Sequence, residues 1–413
     1  MFLKKMLVWQ VIFVRYTILN MEISVIATTH PNHQTPKKEL DRFGGMAAGV
    51  CYMAHDFATL RAEDEAKTFR RVEMTKASGH HSVYDHASIT LYLHCIPRVL
   101  EGMLDNERYM VSSVKSGRYT LHPLPEDEQV VYDKWQATFE KLIRDEYQVK
   151  YPQYFTDNKI KKLAMENARY LTSCFTMVSM LHTVSYRQLN YLYGFFSDYA
   201  EKIAQSNNPF EQKLHPYIVE FVEQLKNTGY IDEMLVKNGK QRQVSMFRNR
   251  PVTEYFGDVY ATNFRCSFAV YMHLNRHRTL KYYMQTPREP QKLEFYVPEL
   301  IADKPDLRAE WLADLDHLRD HYPQAMLVDV SEMGNLEDFI LKAIERKCSS
   351  VLLETTRVVN QVLNQYQAAL SAMGHDGAAT LAHMQKGAKC TFPNFKCPNP
   401  CGFALGVNEK RKI

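Results

Sequence analysis

The chain is poor in cysteine and tryptophan and carries almost no net charge. Eight cysteines and three tryptophans occur among its 413 residues. Cys51, Cys95, Cys174 and Cys266 stand singly in apolar or mixed runs. That scatter argues against a secreted disulfide framework and suits reduced thiols of a cytoplasmic protein. A net charge of +4 is too small for a nucleic-acid surface. No apolar run is long enough to span a bilayer. The nearest approach is Met6 to Val14 behind Lys4-Lys5, a faint imitation of a signal peptide. Gln10 and Arg15 interrupt it and no small-residue cleavage site follows. Met21 then opens Glu-Ile-Ser-Val-Ile-Ala, so the natural start is expected at Met21, with residues 1–20 a dispensable extension.

What remains is ordinary globular composition, with 45% apolar and 24% charged residues. Such a chain can bury a core without staples. Its length predicts two or three domains, or one duplicated fold. Residues 21–28 read as a buried strand and 38–78 as helical. Residues 87–95 alternate, Ile89, Leu91 and Leu93 against Thr90, Tyr92 and His94, which predicts a half-buried strand. Pro97 then starts a helix. Residues 127–205 read as helical in several pieces. The polar, basic stretch 226–249 is the expected boundary between halves. Beyond it come a strand near 257–264, a helix near 267–278 and a strand near 280–285. The spacing of Leu336, Phe339, Ile340, Ala343 and Ile344 predicts one long amphipathic helix over 336–365. The tail from Gly387 reads as a loop.

Two stretches look like two copies of one unit, each damaged in a different place. The first runs Gly79-His80-His81-Ser82-Val83-Tyr84-Asp85-His86, then Asn106-Glu107-Arg108, then seven residues on to Ser116-Gly117-Arg118-Tyr119. The second runs Arg276-His277-Arg278, seven residues, Thr286-Pro287-Arg288. Planar, permanently charged guanidinium groups suit phosphate and carbonyl oxygens through paired hydrogen bonds. Arginines converging on one pocket would cradle an anionic nucleotide.

The second stretch resembles the signature of the flavin-dependent thymidylate synthases: Arg-His-Arg, seven residues, then Ser, any residue, Arg. The resemblance is wider. The segment from Gly79 to His86 resembles that family's Gly-His-x-Ser-x-Phe-Glu-His, and Ala47 to Tyr52 its Ala-Ala-x-x-Cys-Tyr. Arg98, Ala168-Arg169, Arg319 with Pro323, Asn335, and Arg346-Lys347-Cys348 with Glu354 fall where the family has like residues. The resemblance implies an α+β fold in two copies, each a central antiparallel sheet with flanking helices. The copies would span 21–235 and 245–386, before a Cys/Pro-rich tail at 387–413. It also implies conversion of dUMP to dTMP with methylenetetrahydrofolate, FAD and NADPH. By the same resemblance, Arg276, His277, Arg278 and Asn335 would hold flavin. Arg288, Thr286, Arg319 and Arg346 would serve the nucleotide, with Ser116, Arg118 and Arg169 the matching first-half set. His86 would lie near the folate or flavin ring. The family's tetramer, with sites between subunits, implies a homodimer acting as a pseudo-tetramer.

The departures are as informative. Asn106-Glu107 stands in the first Arg-His slot, where an acid would repel phosphate. Thr286 replaces the serine, His273 a glutamine, Met284 a glutamate, and Leu352-Leu353 a Gln-Trp pair. Neither half alone could build a complete site. A degenerate flavin- or nucleotide-binding relative without synthase activity is therefore the alternative expectation. In the tail, Cys390, Cys397 and Cys401 join Cys348 to total four thiols, with His383 a substitute ligand. A structural zinc, free thiols and a disulfide all stay open there; an interaction module stabilised by zinc is a third reading.

Overall fold

A computed structural model of the chain describes residues 21–29, 33–54, 56–115, 123–348, 351–391, 395–398, 401 and 412–413. The expected extension at 1–20 lies outside them. The N-terminal half begins with β1 (Glu22–Ala27) and the helices α1 (Lys37–Tyr52), α2 (Phe57–Ala62) and α3 (Glu65–Ser78). Asp56 and Asp64 cap α2 and α3 by accepting from the amides of Thr59 and Ala66. Gly79 ends α3 at φ 76°, a left-handed turn that glycine takes without steric cost. Next come β2 (Ser88–Pro97), α4 (Arg98–Asn106), β3 (Val111–Val114), α5 (Glu126–Ile143) and α6 (Asp157–Ala168). Then follow β4 (Met177–Ser185), α7 (Tyr186–Ile203), α8 (Pro209–Asn227) and the short α9 (Glu233–Lys237).

The C-terminal half holds β5 (Tyr255–Phe256), β6 (Val259–Ser267), α10 (Phe268–Leu274) and β7 (Lys281–Met284). It continues through α11 (Glu299–Ala302), α12 (Pro305–His317), β8 (Leu327–Asn335), α13 (Leu336–Arg346), α14 (Leu353–Ala372) and α15 (Gly377–Met384). Each half thus contains one four-stranded antiparallel sheet, ordered β1-β2-β4-β3 and β5-β6-β8-β7. In chain order both read first, second, fourth, third.

Two sequence expectations fail here. Residues 127–205 are not all helical, because β4 lies within them and forms the centre of the first sheet with β2. The expected long helix over 336–365 is two helices, α13 and α14, broken between Lys347 and Leu352. At the break the buried Lys347 reaches across to the Met384 carbonyl.

The halves meet along a backbone seam. The Cys174 amide donates to the Tyr322 carbonyl at 2.9 Å, Gln324 to Thr172 at 2.8 Å, and Ala325 to Tyr170 at 2.7 Å. A second core straddles this seam, where Trp135 of α5 meets Trp311 of α12 edge to face at 4.9 Å. The helices α4 and α10 also touch closely. A Cβ on Gly102 would lie 2.6 Å from the Met272 sulfur, and Asn275 Nδ2 donates to the Gly102 carbonyl at 3.0 Å. The connection between halves is not a free linker. Its residues Met246 to Arg248 run beside the edge strand β7, with the Met284 amide bonded to the Met246 carbonyl at 2.8 Å. No helix among the described residues is long and apolar enough to cross a membrane.

Candidate active site

The turn after α10 delivers Arg276, His277 and Arg278 to the side of the N-terminal half. Arg276 Nη2 bonds Glu101 Oε1 at 2.8 Å and its Nε lies 3.0 Å from Asp105 Oδ2. Glu101 and Asp105 stand one turn apart on α4 and are almost fully buried. Burial pushes the Glu101 carboxyl up, against the pull of Arg98 and Arg276. Arg278 Nη2 donates to Ser112 on β3, at 2.8 Å to the hydroxyl and 3.1 Å to the carbonyl. Its Nε is buried and makes no hydrogen bond with the described protein. His277 is 7% exposed, with Nδ1 3.4 Å from Glu345 and Nε2 buried without a hydrogen-bond partner among the described residues. Burial holds its pKa below the usual value, and the positive charge of Arg346 acts in the same direction. Arg276, His277, Arg278 and Arg346 therefore form one neighbourhood, at the seam between halves.

Of the nucleotide set expected from the sequence, Arg346 belongs to this neighbourhood, and Arg288, Thr286 and Arg319 make other contacts. Arg288 is 55% exposed and makes one long contact, 3.5 Å, to Asp329 on β8. The Thr286 amide donates to Asn249 Oδ1 at 3.0 Å. Arg319 pairs with Asp316 and donates to the Pro290 carbonyl at 3.2 Å. Asn335 caps α13 by accepting from the Asp338 amide at 2.8 Å, which commits its side-chain oxygen. Arg169 lies half-buried in a 3-10 turn before β4. His86 is exposed at the end of the 81–85 turn, with Phe43 edge-on at 6.2 Å. Ser116 and Arg118 fall outside the described residues.

Sequence reasoning missed the acids that receive these arginines. Glu101 and Asp105 are spaced four apart behind Arg98, which was the available signal. Glu107 was expected to repel phosphate. It is instead fully buried, paired with Arg242 and accepting from the Ser245 amide, so it anchors the connection between halves. Asn106 donates to the Ser245 hydroxyl at 2.7 Å. Glu354 was quoted only for resemblance. It is buried in the first turn of α14, accepting from the Ser267 amide and hydroxyl at 2.7 Å each and from the Tyr170 hydroxyl at 2.9 Å. It thus ties β6 to the N-terminal half.

Burial raises Glu354 to about 7 from the usual 4.5, with the bonds from Ser267 and Tyr170 pulling the other way. A raised carboxyl contributes its stability fully below the unfolded value and loses it as pH climbs through the folded one. The wild-type chain should therefore lose up to about 3 kcal/mol between those values through this group. Glu354→Gln should flatten that part of the profile. Urea midpoints measured at both ends would show it, and parallel profiles for the two proteins would refute the assignment.

The metal expectation is not supported. Among the described residues no three His, Cys, Asp or Glu side chains are placed to hold an ion. Cys348, Cys390, Cys397 and Cys401 are half-buried and in no disulfide, and the other three lie near enough to raise the Cys390 thiol after burial has done so.

Residues 37–206 match the family model Thy1, thymidylate synthase complementing protein. No curated protein sequence matches the chain significantly. Among solved structures, thymidylate synthase X from Helicobacter pylori with FAD and dUMP is 17% identical, covering 52% of this chain and 99% of that one at a TM-score of 0.31. The UMP/dUMP methylase PolB from Streptomyces cacaoi bound with 5-Br dUMP is also 17% identical, covering 43% of this chain and 78% of that one at a TM-score of 0.27. The family match is confined to residues 37–206, and the C-terminal half lies outside it.

Proposed function

We propose that the protein is a flavin-dependent thymidylate synthase built from two diverged copies of one unit. It converts dUMP to dTMP with methylenetetrahydrofolate as carbon donor, FAD as hydride carrier and NADPH as reductant. It works in the cytoplasm as a homodimer. The family match in the N-terminal half carries this reading. The same strand order in the other half supports the duplication, with copies at 21–235 and 245–386.

The fit to flavin differs between neighbouring residues. Among the described residues Arg278 Nε and His277 Nε2 are buried without hydrogen-bond partners; Arg278 Nε can donate to a flavin acceptor, and Nε2 of the neutral His277, whose Nδ1 faces Glu345, can accept from a flavin N–H. Arg276 does not fit, because two buried carboxylates already neutralise it. FAD, when bound, supplies the hydride chemistry; Arg278 and His277 hold it, with Arg346 beside them. Arg288, exposed and weakly paired, is the guanidinium for the dUMP phosphate, with Thr286 and Arg319 on the same side. The unpartnered nitrogens predict that Arg278→Ala lowers the flavin bound per chain. Absorbance of the purified variant tests this, and unchanged flavin content would refute it. Arg288→Ala should weaken dUMP binding roughly tenfold to a hundredfold. Calorimetric titration checks it, and an unaltered affinity would remove Arg288 from the site.

The alternative, a degenerate relative that binds flavin or nucleotide without making thymidylate, gains from two observations. Arg276 is internally neutralised, and Glu107 fills the first Arg-His slot with a buried acid. Tritium release from labelled dUMP, with FAD, NADPH and methylenetetrahydrofolate supplied, separates the readings. Turnover establishes the synthase; flavin binding without release establishes the relative.

A further inference from the structure

Two turns in like places meet different partners. Asn106-Glu107-Arg108 leads from α4 into β3, and Arg276-His277-Arg278 leads from α10 into β7. The two helices touch at Gly102 and Met272, and each turn faces the edge strand of the other half. Arg278 reaches Ser112 of β3 at 2.8 Å. In return, Arg108 lies beside Tyr282 and Tyr283 of β7. The fold therefore offers two mirror crevices, one between the 276–278 turn and β3, the other between the 106–108 turn and β7.

The second crevice is filled by the chain itself. The Gln285 amide bonds the Asp329 carbonyl at 2.9 Å, so antiparallel alternation turns the Met284 amide and carbonyl away from β8. The connection between halves takes both. The Met284 amide donates to the Met246 carbonyl at 2.8 Å, and the Arg248 amide donates to the Met284 carbonyl at 2.9 Å. The 106–108 turn grips the same segment from the other wall. Glu107 accepts from the Ser245 amide and pairs with Arg242, while the Ser245 hydroxyl donates to the Asn106 carbonyl at 3.0 Å. Met246 is fully buried between the walls, and Phe247 stacks on Tyr199 of α7 at 6.1 Å.

The first crevice has no such filling among the described residues. The Lys115 amide bonds the Ser179 carbonyl at 3.1 Å, so Val114 faces outward as Met284 does. No backbone group of the described residues bonds its outward amide or carbonyl. The chemistry of the two walls divides the same way. One turn carries two guanidinium groups, the other a fully buried carboxylate at Glu107, which would repel a diphosphate.

We propose that segment 242–248 is a built-in occupant of the crevice between the 106–108 turn and β7, so that a chain holds at most one flavin where two intact copies would hold two. The occupied crevice is an observation about this chain alone; the single remaining flavin rests on the synthase reading.

Two measurements on the full chain test this. The first is the flavin released per chain after saturation with FAD, expected close to one; a count of two overturns the proposal. The second needs no flavin. Hydrogen exchange in the peptides covering Arg248 and Met284 should be slow, and excess FAD should leave it unchanged. Exchange as fast as an open loop, or an acceleration there when FAD is added, overturns the occlusion whatever the flavin count. Arg242→Ala, at a side chain 38% exposed, should speed that exchange roughly tenfold by removing one charge-assisted anchor. Unchanged exchange in this variant overturns the anchoring on Glu107. A chain that binds no flavin while both amides stay slow sinks the synthase reading and leaves the occlusion standing.

Discussion

Arg276→Ala should destabilise the chain by about 3–5 kcal/mol, the range for removing one partner from a buried ion pair. The reason lies in what is left behind rather than in what is lost. Glu101 and Asp105 have side chains 0% and 1% exposed, and Arg276 is the cation that touches both. Arg98 reaches Glu101 at 3.3 Å, and Ser112 donates to Asp105. Neither replaces a guanidinium spanning the two acids. Arg276→Lys should lie between wild type and alanine, since one ammonium cannot present a fork to two carboxylates. The neutral set Arg276→Met, Glu101→Gln and Asp105→Asn should recover most of the loss. Urea-unfolding midpoints at neutral pH give the series. An alanine variant within about 0.5 kcal/mol of wild type would show the seam to be solvated and the ion pair idle. Because Arg276 also tethers the halves, flavin loss in its variants would be ambiguous. Arg278→Ala is the cleaner probe.

The strand β2 was legible because it alternates. Ile89, Leu91 and Leu93 of β2 point inward and are each 1% exposed or less. The central partners β4 and β8 were hidden. In β4, Val178, Met180 and Val184 alternate with Ser179, Leu181 and Thr183, but the buried position between them is His182. In β8 the equivalent interior place is taken by Glu332, fully buried and paired only through the fold. A polar residue on the inner face erases the period that sequence reading relies on. The break after α13 was hidden for a related reason. Apolar spacing continues through it, and Lys347, whose pKa burial lowers to about 8, is held there by a distant carbonyl.

The site was legible to a different depth. The signature located the turn that carries Arg276 to Arg278 at the contact between halves. It could not say that α4 supplies acids to meet them. Glu101 and Asp105 become partners of Arg276 only because Gly102 lets α10 approach α4. Spacing within one helix is local, whereas a pairing across 175 residues is a property of the fold. The same limit applies to Asn335, whose side chain the capping of α13 takes up.

Lys342→Met should cost about 3–5 kcal/mol by the same physics in a drier place. Lys342 and Glu332 have side chains 1% and 0% exposed and are paired directly. The Tyr260 hydroxyl also donates to Glu332, and the ammonium lies 4.7 Å from the Phe339 ring centre. Burial pushes the Lys342 amine down, and only the carboxylate holds its proton against that. Without the lysine, Glu332 keeps one hydroxyl donor and no cation. Glu332→Gln strands the amine instead, and its penalty has the opposite handle. A buried lysine with a depressed pKa burdens the fold fully below that pKa. The burden is relieved as pH rises from there towards the usual 10.5. Glu332→Gln should therefore approach wild-type stability as the solution is made alkaline, while Lys342→Met should not. The double substitution, neutral at both places, should recover more than half of the larger single loss. Midpoints across a pH series decide this, and a Glu332→Gln deficit constant from neutral to alkaline pH would show that the amine never carried the charge.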